Sequence, residues 1–580
     1  MRCLEKDRDR RYGTAQELAF DVRRYLRQEP VVARPPSTLY RVQKFVARHR
    51  LACASAAAIA LTLIAGTVVS VRQAVRATRA EHTANAARAD AQRRQEEAEG
   101  LLTFMLGDFR TELQKIGRLE LLDKVGEEAK AYFAALNPRD LTDTALARQA
   151  KALTQIGETR MDEARYAEAA AAFTTAYDRA AALAARHPAD GDMLFERAQA
   201  EYWLGFVARR RGDFPAAREW LTRYRDSAVS LVVIEGKTLR AQRELTYGLY
   251  GLAVLELDRG NLPEAQRGFF AQRAALEEML AANPGDLQLR VSLADVASWL
   301  GTIAERSGSY AEAIARFTEM SSRSEELVRL EPAVARWRLK LADGIAFTGD
   351  VRAVTGRQAE ALADYLRAQA LRGALVAQDP KNRQWHQAEL NGQLHHLALL
   401  LARDDAASVA AQLDEARVHL EALVKAEPSS LPFTAALAMA WRLEGCLRLA
   451  TQRADADKAV ARAIDLGAAL VNEGRADNKA IGEFAQSCIL AGRIALAQGR
   501  PEVARSHWTR ALEAVAPHLA DSNDWRFLDP AAQALVLLGR ADEAEPLIAR
   551  LRHFGYHPLD PLAVPILDAA IPTVSSTKNN

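Results

Sequence analysis

The side chains best able to do chemistry are few. His386, His395 and His396 form the densest group of imidazoles, yet no carboxylate or cysteine stands beside them at a spacing that would complete a metal site. They are expected to be satisfied at a helix surface. The four cysteines, Cys3, Cys53, Cys446 and Cys488, lie too far apart for a CxxC or zinc cluster. Cys446 and Cys488 have the option of pairing in an oxidising compartment, and inert buried thiols are the ordinary alternative. Ser-His-Asp combinations exist, as in any chain of this length, but none sits on a nucleophile-elbow motif. Trp203, Gly251, Trp299 and Phe347 recur every 48 residues. Evenly spaced aromatics of this kind either pack against a neighbouring helix or anchor an extended peptide. Arginine runs such as Arg209-Arg210-Arg211 read as solvated faces. The expectation is therefore a chain without catalytic, cofactor or metal residues, whose chemistry is binding.

What must position such anchors is helical. Alanine, leucine, arginine and glutamate dominate the 580 residues, and aromatics make up 7%. The net charge of +2 argues against a nucleic-acid partner. Its distribution is uneven: residues 1–50 carry 13 Lys or Arg against 6 Asp or Glu. That excess suits a segment facing an anionic leaflet. Immediately after it, Leu51 to Val71 contains no charged residue and is bounded by Arg50 and Arg72. A helix of this length rises about 30 Å, the hydrocarbon thickness of a bilayer. It starts too late for a cleaved signal peptide, so 51–71 is expected to be a single transmembrane anchor.

Before the anchor, Thr14 with Glu17 gives a capping box, and Leu18, Val22, Tyr25 and Leu26 share one face. This predicts a helix from Thr14 to about Arg27, ended by Pro30 and Pro35-Pro36. Cys3-Leu4-Glu5-Lys6-Asp7, Arg10-Arg11-Tyr12, Ala15-Gln16-Glu17-Leu18 and Glu29-Pro30-Val31 follow. Together they resemble the end of a bacterial Hanks-type Ser/Thr protein kinase domain. Glu29, Pro30, Val31, Ala33, Arg34 and Pro35 match that family's exit into the juxtamembrane segment, while Arg8 replaces its usual proline. By this resemblance Arg11 falls on a structural arginine that pairs with a carboxylate near the activation segment. The glycine-rich loop, strand lysine, HRD-type loop and DFG aspartate of a kinase do not occur in the chain. ATP and magnesium are thus implied only for a missing kinase core, and no activity is expected from this chain alone. Either Met1 is an internal start within a longer kinase gene, the reading we favour here, or the chain is a natural remnant.

Arg41, Lys44, Arg48 and Arg50 precede the span, and Arg72, Arg76 and Arg79 follow it. This bias and the kinase resemblance place the N-terminus in the cytoplasm and the rest outside the inner (plasma) membrane. No proline interrupts Gln43 to Leu136, so one continuous helix is expected to leave the membrane as a stalk. Ala77, Ala80, Ala84, Ala87 and Ala91 repeat at 3-4 spacing, either the seam of a homodimer or an exposed spacer. Two apolar stripes follow, Leu101, Phe104, Met105, Phe109 and Leu113, then Leu119, Leu122, Val125, Ala129 and Phe133. They are expected to dock as an N-terminal cap.

Self-comparison then gives a 48-residue period. Ala169, Ala217, Ala265, Ala313 and Ala361 are one series, and Gly157, Gly205, Ala253, Gly301 and Gly349 another. Phe173, Leu221, Phe269, Phe317 and Tyr365 are the large members. Ala164, Gly212, Gly260, Gly308 and Gly356 mark the turn, and Pro188, Pro284, Pro332, Pro380 and Pro428 the end of the second helix. Leu204-Gly205, Gly212, Phe214, Ala217, Leu221 and Tyr224 make this similar to the tetratricopeptide repeat, whose usual period of about 34 implies helices lengthened here by roughly two turns each. In that family the first helix of each hairpin lines the binding groove, which nominates Trp203, Trp299 and Phe347 for a peptide groove. Ala416 follows Ala361 by 55, predicting a seven-residue insertion around Asp404 to Val409. About nine hairpins are expected between Thr144 and Leu551, and Ile571 to Asn580 reads as a frayed tail.

The expected fold is all-α, a tetratricopeptide-like helical-hairpin solenoid preceded by a transmembrane helix and stalk. Its parts are a kinase C-lobe remnant (1–30), a basic juxtamembrane segment (31–50), the span (51–71), a stalk and cap (72–136), the array (144–558) and a tail (559–580). The expected function is that of a membrane-anchored sensor or scaffold that binds proteins or peptides and belongs to a transmembrane Ser/Thr kinase. The alternative is a stand-alone anchored scaffold.

Overall fold

The computed structural model describes residues 2–34, 37–106, 128, 142–162, 165–380, 382–403, 406–428, 430–472, 476–520 and 522–559. The chain divides into two compact units, Met1–Leu102 and Thr103–Asn580. Among the described residues every regular element is helical.

In the first unit, α1 (Ala15–Leu26) starts where the capping box predicts. Thr14 Oγ1 accepts from Glu17 N at 3.2 Å, and Glu17 Oε2 accepts from Gly13 N at 2.9 Å. Asp21 is the one buried residue of this helix. Its carboxylate accepts from Tyr12 Oη and from the backbone N–H groups of Val32 and Ala33, at 2.7 to 2.8 Å. It thereby ties the chain after the helix back onto it. Burial alone would raise this carboxyl, but the three donors hold it below its ordinary range. The apolar side chains Leu18, Val22, Tyr25 and Leu26 remain exposed. α2 (Thr38–Arg48) is capped by Ser37, whose Oγ accepts from Tyr40 N.

The expected uninterrupted helix from Gln43 does not form. At His49, ψ is 45° and the helical register stops, so α3 (Arg50–Leu106) is a separate element. Its 57 residues span about 85 Å. An 18-residue window within it has a mean hydropathy of 2.1 and no burial. Hydroxyls in the apolar run bond back along the helix: Ser55 to the carbonyl of Leu51, Thr62 to that of Ala58 and Thr67 to that of Leu63. The alanine seam from Ala77 to Ala91 is likewise exposed. Most of the two cap stripes, from Phe109 onward, falls outside the described residues.

The second unit is a solenoid of nine consecutive helical hairpins among the described residues. They pair Asp143–Asp162 with Tyr166–Arg186, Gly191–Arg210 with Phe214–Glu235, and Leu239–Asp258 with Leu262–Ala282. Leu287–Arg306 follows with Tyr310–Leu330, Ala335–Ala353 with Gln358–Gln378, and Arg383–Ala402 with Ala406–Ala426. The last three pair Leu431–Ala450 with Ala456–Asn472, Asn478–Ala497 with Pro501–Val515, and Trp525–Leu537 with Ala541–His553. The 48-residue period is visible in the packing. Ala169, Ala217, Ala265, Ala313 and Ala361 are completely buried. Gly157 receives the Phe173 ring so closely that a Cβ would lie 2.4 Å from it, and Gly301 receives Phe317 at 2.6 Å. Gly205 does the same for Leu221 and Gly349 for Tyr365. The turn glycines Gly212, Gly260, Gly308 and Gly356 have φ between 74° and 78°, which a side chain would strain. Ala164 lies outside the described residues.

The predicted insertion near Asp404 is absent. The sixth hairpin keeps the spacing, and Val409, 48 residues after Ala361, fills the small-residue position inside a helix, fully buried. Ala416 is one face-sharing position further on. A valine in the alanine place had hidden the register. The helix Asn478–Ala497 is also apolar, with a mean hydropathy of 1.2, but 61% of its window is buried, as suits the core of the eighth hairpin.

The small–large pairing sets the first test. Gly301→Ala pushes a methyl into the Phe317 ring and should cost about 1–3 kcal/mol, and Phe317→Ala about 3–5 kcal/mol. The double variant should lose less than the sum, because each change makes room for the other. Denaturant midpoints of the full chain, followed by circular dichroism, measure all three; strict additivity would refute the contact.

Candidate functional site

The nominated aromatics occupy one equivalent place and stack on the large residue of the preceding hairpin. Trp203 stacks on Phe173 (centroids 5.6 Å, planes 6° apart) and Trp299 on Phe269 (5.9 Å, 10°). Phe347 tilts against Phe317 at 5.3 Å, and His395 stands edge-on to Tyr365 at 6.3 Å. All four are half-buried. The two tryptophans sit within aromatic clusters, Trp203 with Tyr202 and Phe206, Trp299 with Tyr250. The three candidates are not brought together. Phe347 lines a cavity.

That cavity, of about 150 Å³, is created by a long-range closure of the solenoid. The ninth hairpin turns back and packs Leu528, Ala532, Leu535, Ile548 and Leu551 against Tyr310, Ala313, Phe317, Val351 and Val354 of the fourth and fifth. His557 N donates to the Val354 carbonyl at 2.7 Å, and Asn523 Nδ2 to that of Ser307 at 3.3 Å. Two repeat turns are used twice here. The Phe554 ring covers Gly308 and His557 covers Gly356, whereas Gly212 and Gly260 face open space. At the centre lies a buried ion triad: Arg526 pairs with Glu305 and, at 3.0 Å, with Asp524. Burial opposes the charge on Arg526, and the two carboxylates more than restore it. Tyr310 Oη is buried beside this triad without a hydrogen-bond partner.

The cavity walls combine an apolar floor with charge. Phe317 and Phe347 form the floor; Glu305, Arg306, Asp350, Asp477, Lys479 and Arg526 carry the charges. Glu305 and Arg526 are consumed by each other, and Asp477 caps the helix Asn478–Ala497 through Ala480 N. Asp350 Oδ1 accepts from Tyr365 Oη and pairs with His395 Nδ1, both at 2.8 Å. Burial would raise this carboxyl, but His395, Lys479 and Tyr365 hold it far below the usual range. Lys479 Nζ lies 5.7 Å from the Phe347 ring. Arg306 makes no hydrogen bond or ion pair among the described residues, so its guanidinium is free for a ligand. Uncommitted cation, aromatic floor and amide-rich helix start can hold a peptide group; no nucleophile stands against a base.

The histidines differ from the expected surface group. His395 belongs to the Asp350 pair, while His396 is buried, and burial lowers its pKa. A carboxylate does stand near His386, Glu389 at 3.9 Å, yet no group of three metal-ligating side chains occurs among the described residues. Arg209 pairs with Asp258 at 2.7 Å, so that run is only partly solvated. None of the four cysteines forms a disulfide, and burial pushes the Cys488 thiol up to about 12. Arg11, in the first unit, donates from Nε to the Glu5 carbonyl at 2.6 Å. Sequence reading missed Glu305, Arg306, Asp350, Lys479 and Arg526. The Glu305–Arg526 contact spans 221 residues and follows no repeat spacing.

No family model matches the chain, and no curated protein matches it. Among solved structures it is similar to aspartyl phosphate phosphatase F from Bacillus subtilis, at 8% identity and a TM-score of 0.44, covering 72% of this chain and 94% of that one. The apo quorum sensor NprR from B. thuringiensis aligns at 14% identity and a TM-score of 0.41, covering 72% and 99%. A tetratricopeptide repeat protein from Parabacteroides merdae aligns at 13% identity and 0.29, covering 55% and 93%. These are likenesses of fold. The chain is an all-α, tetratricopeptide-like helical-hairpin solenoid.

Two outcomes test this site. Arg526→Met strands the Glu305 charge and should cost about 3–5 kcal/mol, whereas adding Glu305→Leu should recover part of the loss; thermal unfolding of the full chain reads both. Asp350 has a depressed folded pKa, so its stabilisation is present above the ordinary carboxylate range and disappears as pH falls through its folded value. Wild type should therefore lose stability on acidification more steeply than Asp350→Asn, and parallel pH profiles would contradict the pairing.

Proposed function

We propose that this chain is the membrane-anchored binding region of a transmembrane Ser/Thr protein kinase, whose repeat array captures a protein or peptide segment. The observation that carries the anchoring is the fully exposed apolar window in α3, in which Ser55, Thr62 and Thr67 bond back along the helix. An unpartnered apolar surface of that length is costly in water and favourable in hydrocarbon. The array then stands on the other side of the bilayer from residues 1–50, whose basic excess suits the cytoplasmic face. Capture is supported by the cavity beneath Phe347, where Arg306 is uncommitted and the floor is aromatic. The kinase parentage rests on the resemblance of residues 3–35. The Asp21 bonds to Val32 N and Ala33 N tie the end of that segment back onto α1.

The readings separate by experiment. After alkaline extraction of cells the wild-type chain should stay with the membrane pellet. Ile59→Arg with Ile64→Arg should move it to the supernatant, since each central arginine costs roughly 2.5–3.5 kcal/mol of insertion. Recovery of wild type in the supernatant would end the anchoring claim. Proximity labelling from the C-terminus should tag extracytoplasmic proteins, and Phe347→Ala with Arg306→Ala should lose a subset of them. Genomic sequence upstream of Met1 decides the parentage: an in-frame HRD and DFG supports it, and a close stop codon supports a stand-alone scaffold.

A further inference from the structure

α2 ends one residue before the apolar helix and does not merge with it. Its two sides differ. Tyr40, Lys44, Ala47 and Arg48 are turned toward the segment that follows α1: Lys44 Nζ bonds Gln28 Oε1 at 2.8 Å and lies 4.7 Å from the Tyr25 ring, and Arg48 pairs with Glu29 at 3.6 Å. At 100° per residue, Leu39, Val42, Phe45 and Val46 fall within one arc on the opposite side. All four are exposed, Leu39 to 81% and both Val42 and Phe45 to 61%. Thr38 to Arg50 contains Arg41, Lys44, Arg48 and Arg50 and no acidic residue.

We infer that α2 lies in the plane of the cytoplasmic membrane surface as a second contact, distinct from the span, with Leu39, Val42, Phe45 and Val46 sunk among the acyl chains of an anionic leaflet. Three observations select a lipid surface as the occupant. α2 ends one residue before α3, and its arc, ending at Val46, is separated by four residues from the apolar run that begins at Leu51, so the helix stays close to the interface when α3 is inserted. Arg41 stands near the edge of the arc and Arg50 just past the helix, neither with a side-chain partner among the described residues, whereas Lys44 and Arg48 lie on the other side, Arg48 against Glu29. The two uncommitted cations complement an anionic headgroup layer. The break at His49 frees α2 from the axis of α3, which a continuous helix would have forced on it. The consequence is mechanical: the segment tied by Asp21, Lys44 and Arg48 is held against the leaflet instead of swinging on a flexible linker.

The inference rests on the anchoring proposed above, and the experiment keeps the two apart. The full chain is reconstituted in phosphatidylcholine vesicles with or without phosphatidylserine, carrying a photoreactive side chain at position 42, 46, 48 or 64. Positions 42 and 46 should form lipid adducts several-fold above position 48 when phosphatidylserine is present. Their yield should fall several-fold in phosphatidylcholine alone, while position 64 labels lipid equally in both. Adducts at 64 with 42 and 46 no higher than 48 overturn this inference and leave the anchor standing. Equal yields at 42 and 46 in both lipids overturn the anionic assignment. Absence of adducts at 64 overturns the anchor and the inference with it.

Discussion

Everything in the second unit depends on how closely two antiparallel helices approach at one point per repeat. A glycine or alanine on the first helix leaves a hollow the size of a methyl group or less, and a large residue sixteen positions later fills it. Phe173 against Gly157, Phe317 against Gly301 and, in the eighth hairpin, Trp508 against Gly492 are close cases. Because the hollow recurs every 48 residues, each hairpin stacks on the last with nearly the same rotation, and the same helix face is presented again and again. That repetition stacks Trp203, Trp299, Phe347 and His395 on the large residue of the preceding hairpin.

Repetition makes a ladder, and the closure makes a site. The ninth hairpin has two helices of 13 residues where earlier ones have 15 to 22, and it lies against the fourth and fifth. Its contact is mostly apolar, yet the Glu305–Arg526–Asp524 triad sits within it. Buried charges are poor sources of stability, since desolvation offsets most of the attraction. They do fix which residues meet, because any other register would leave a charge alone. The cavity under Phe347 is the space left beside this contact.

The first unit obeys a different logic. Its polar interactions gather around Asp21, while many large apolar side chains stay exposed along α1, α2 and α3. That uncovered apolar area is what the proposed membrane anchoring rests on.

The sequence by itself determined the helices, their caps, the hairpin count and the seam, because these follow from near neighbours and from a period that self-comparison exposes. Thr14 with Glu17, the turn glycines and the buried alanines were all legible that way. It misled where a single substitution hid the register, as Val409 did, where a local backbone choice left no proline or glycine to mark it, as at His49, and in the surface placing of His395 and His396. What only the tertiary structure decided is the difference between equivalent positions. Gly308 and Gly260 are the same letter in the same turn, yet one is covered by Phe554 and the other is open. The reason is that the curvature of a solenoid accumulates small rotations over hundreds of residues. The partners it finally brings together, such as Glu305 and Arg526, share no local pattern that spacing could reveal.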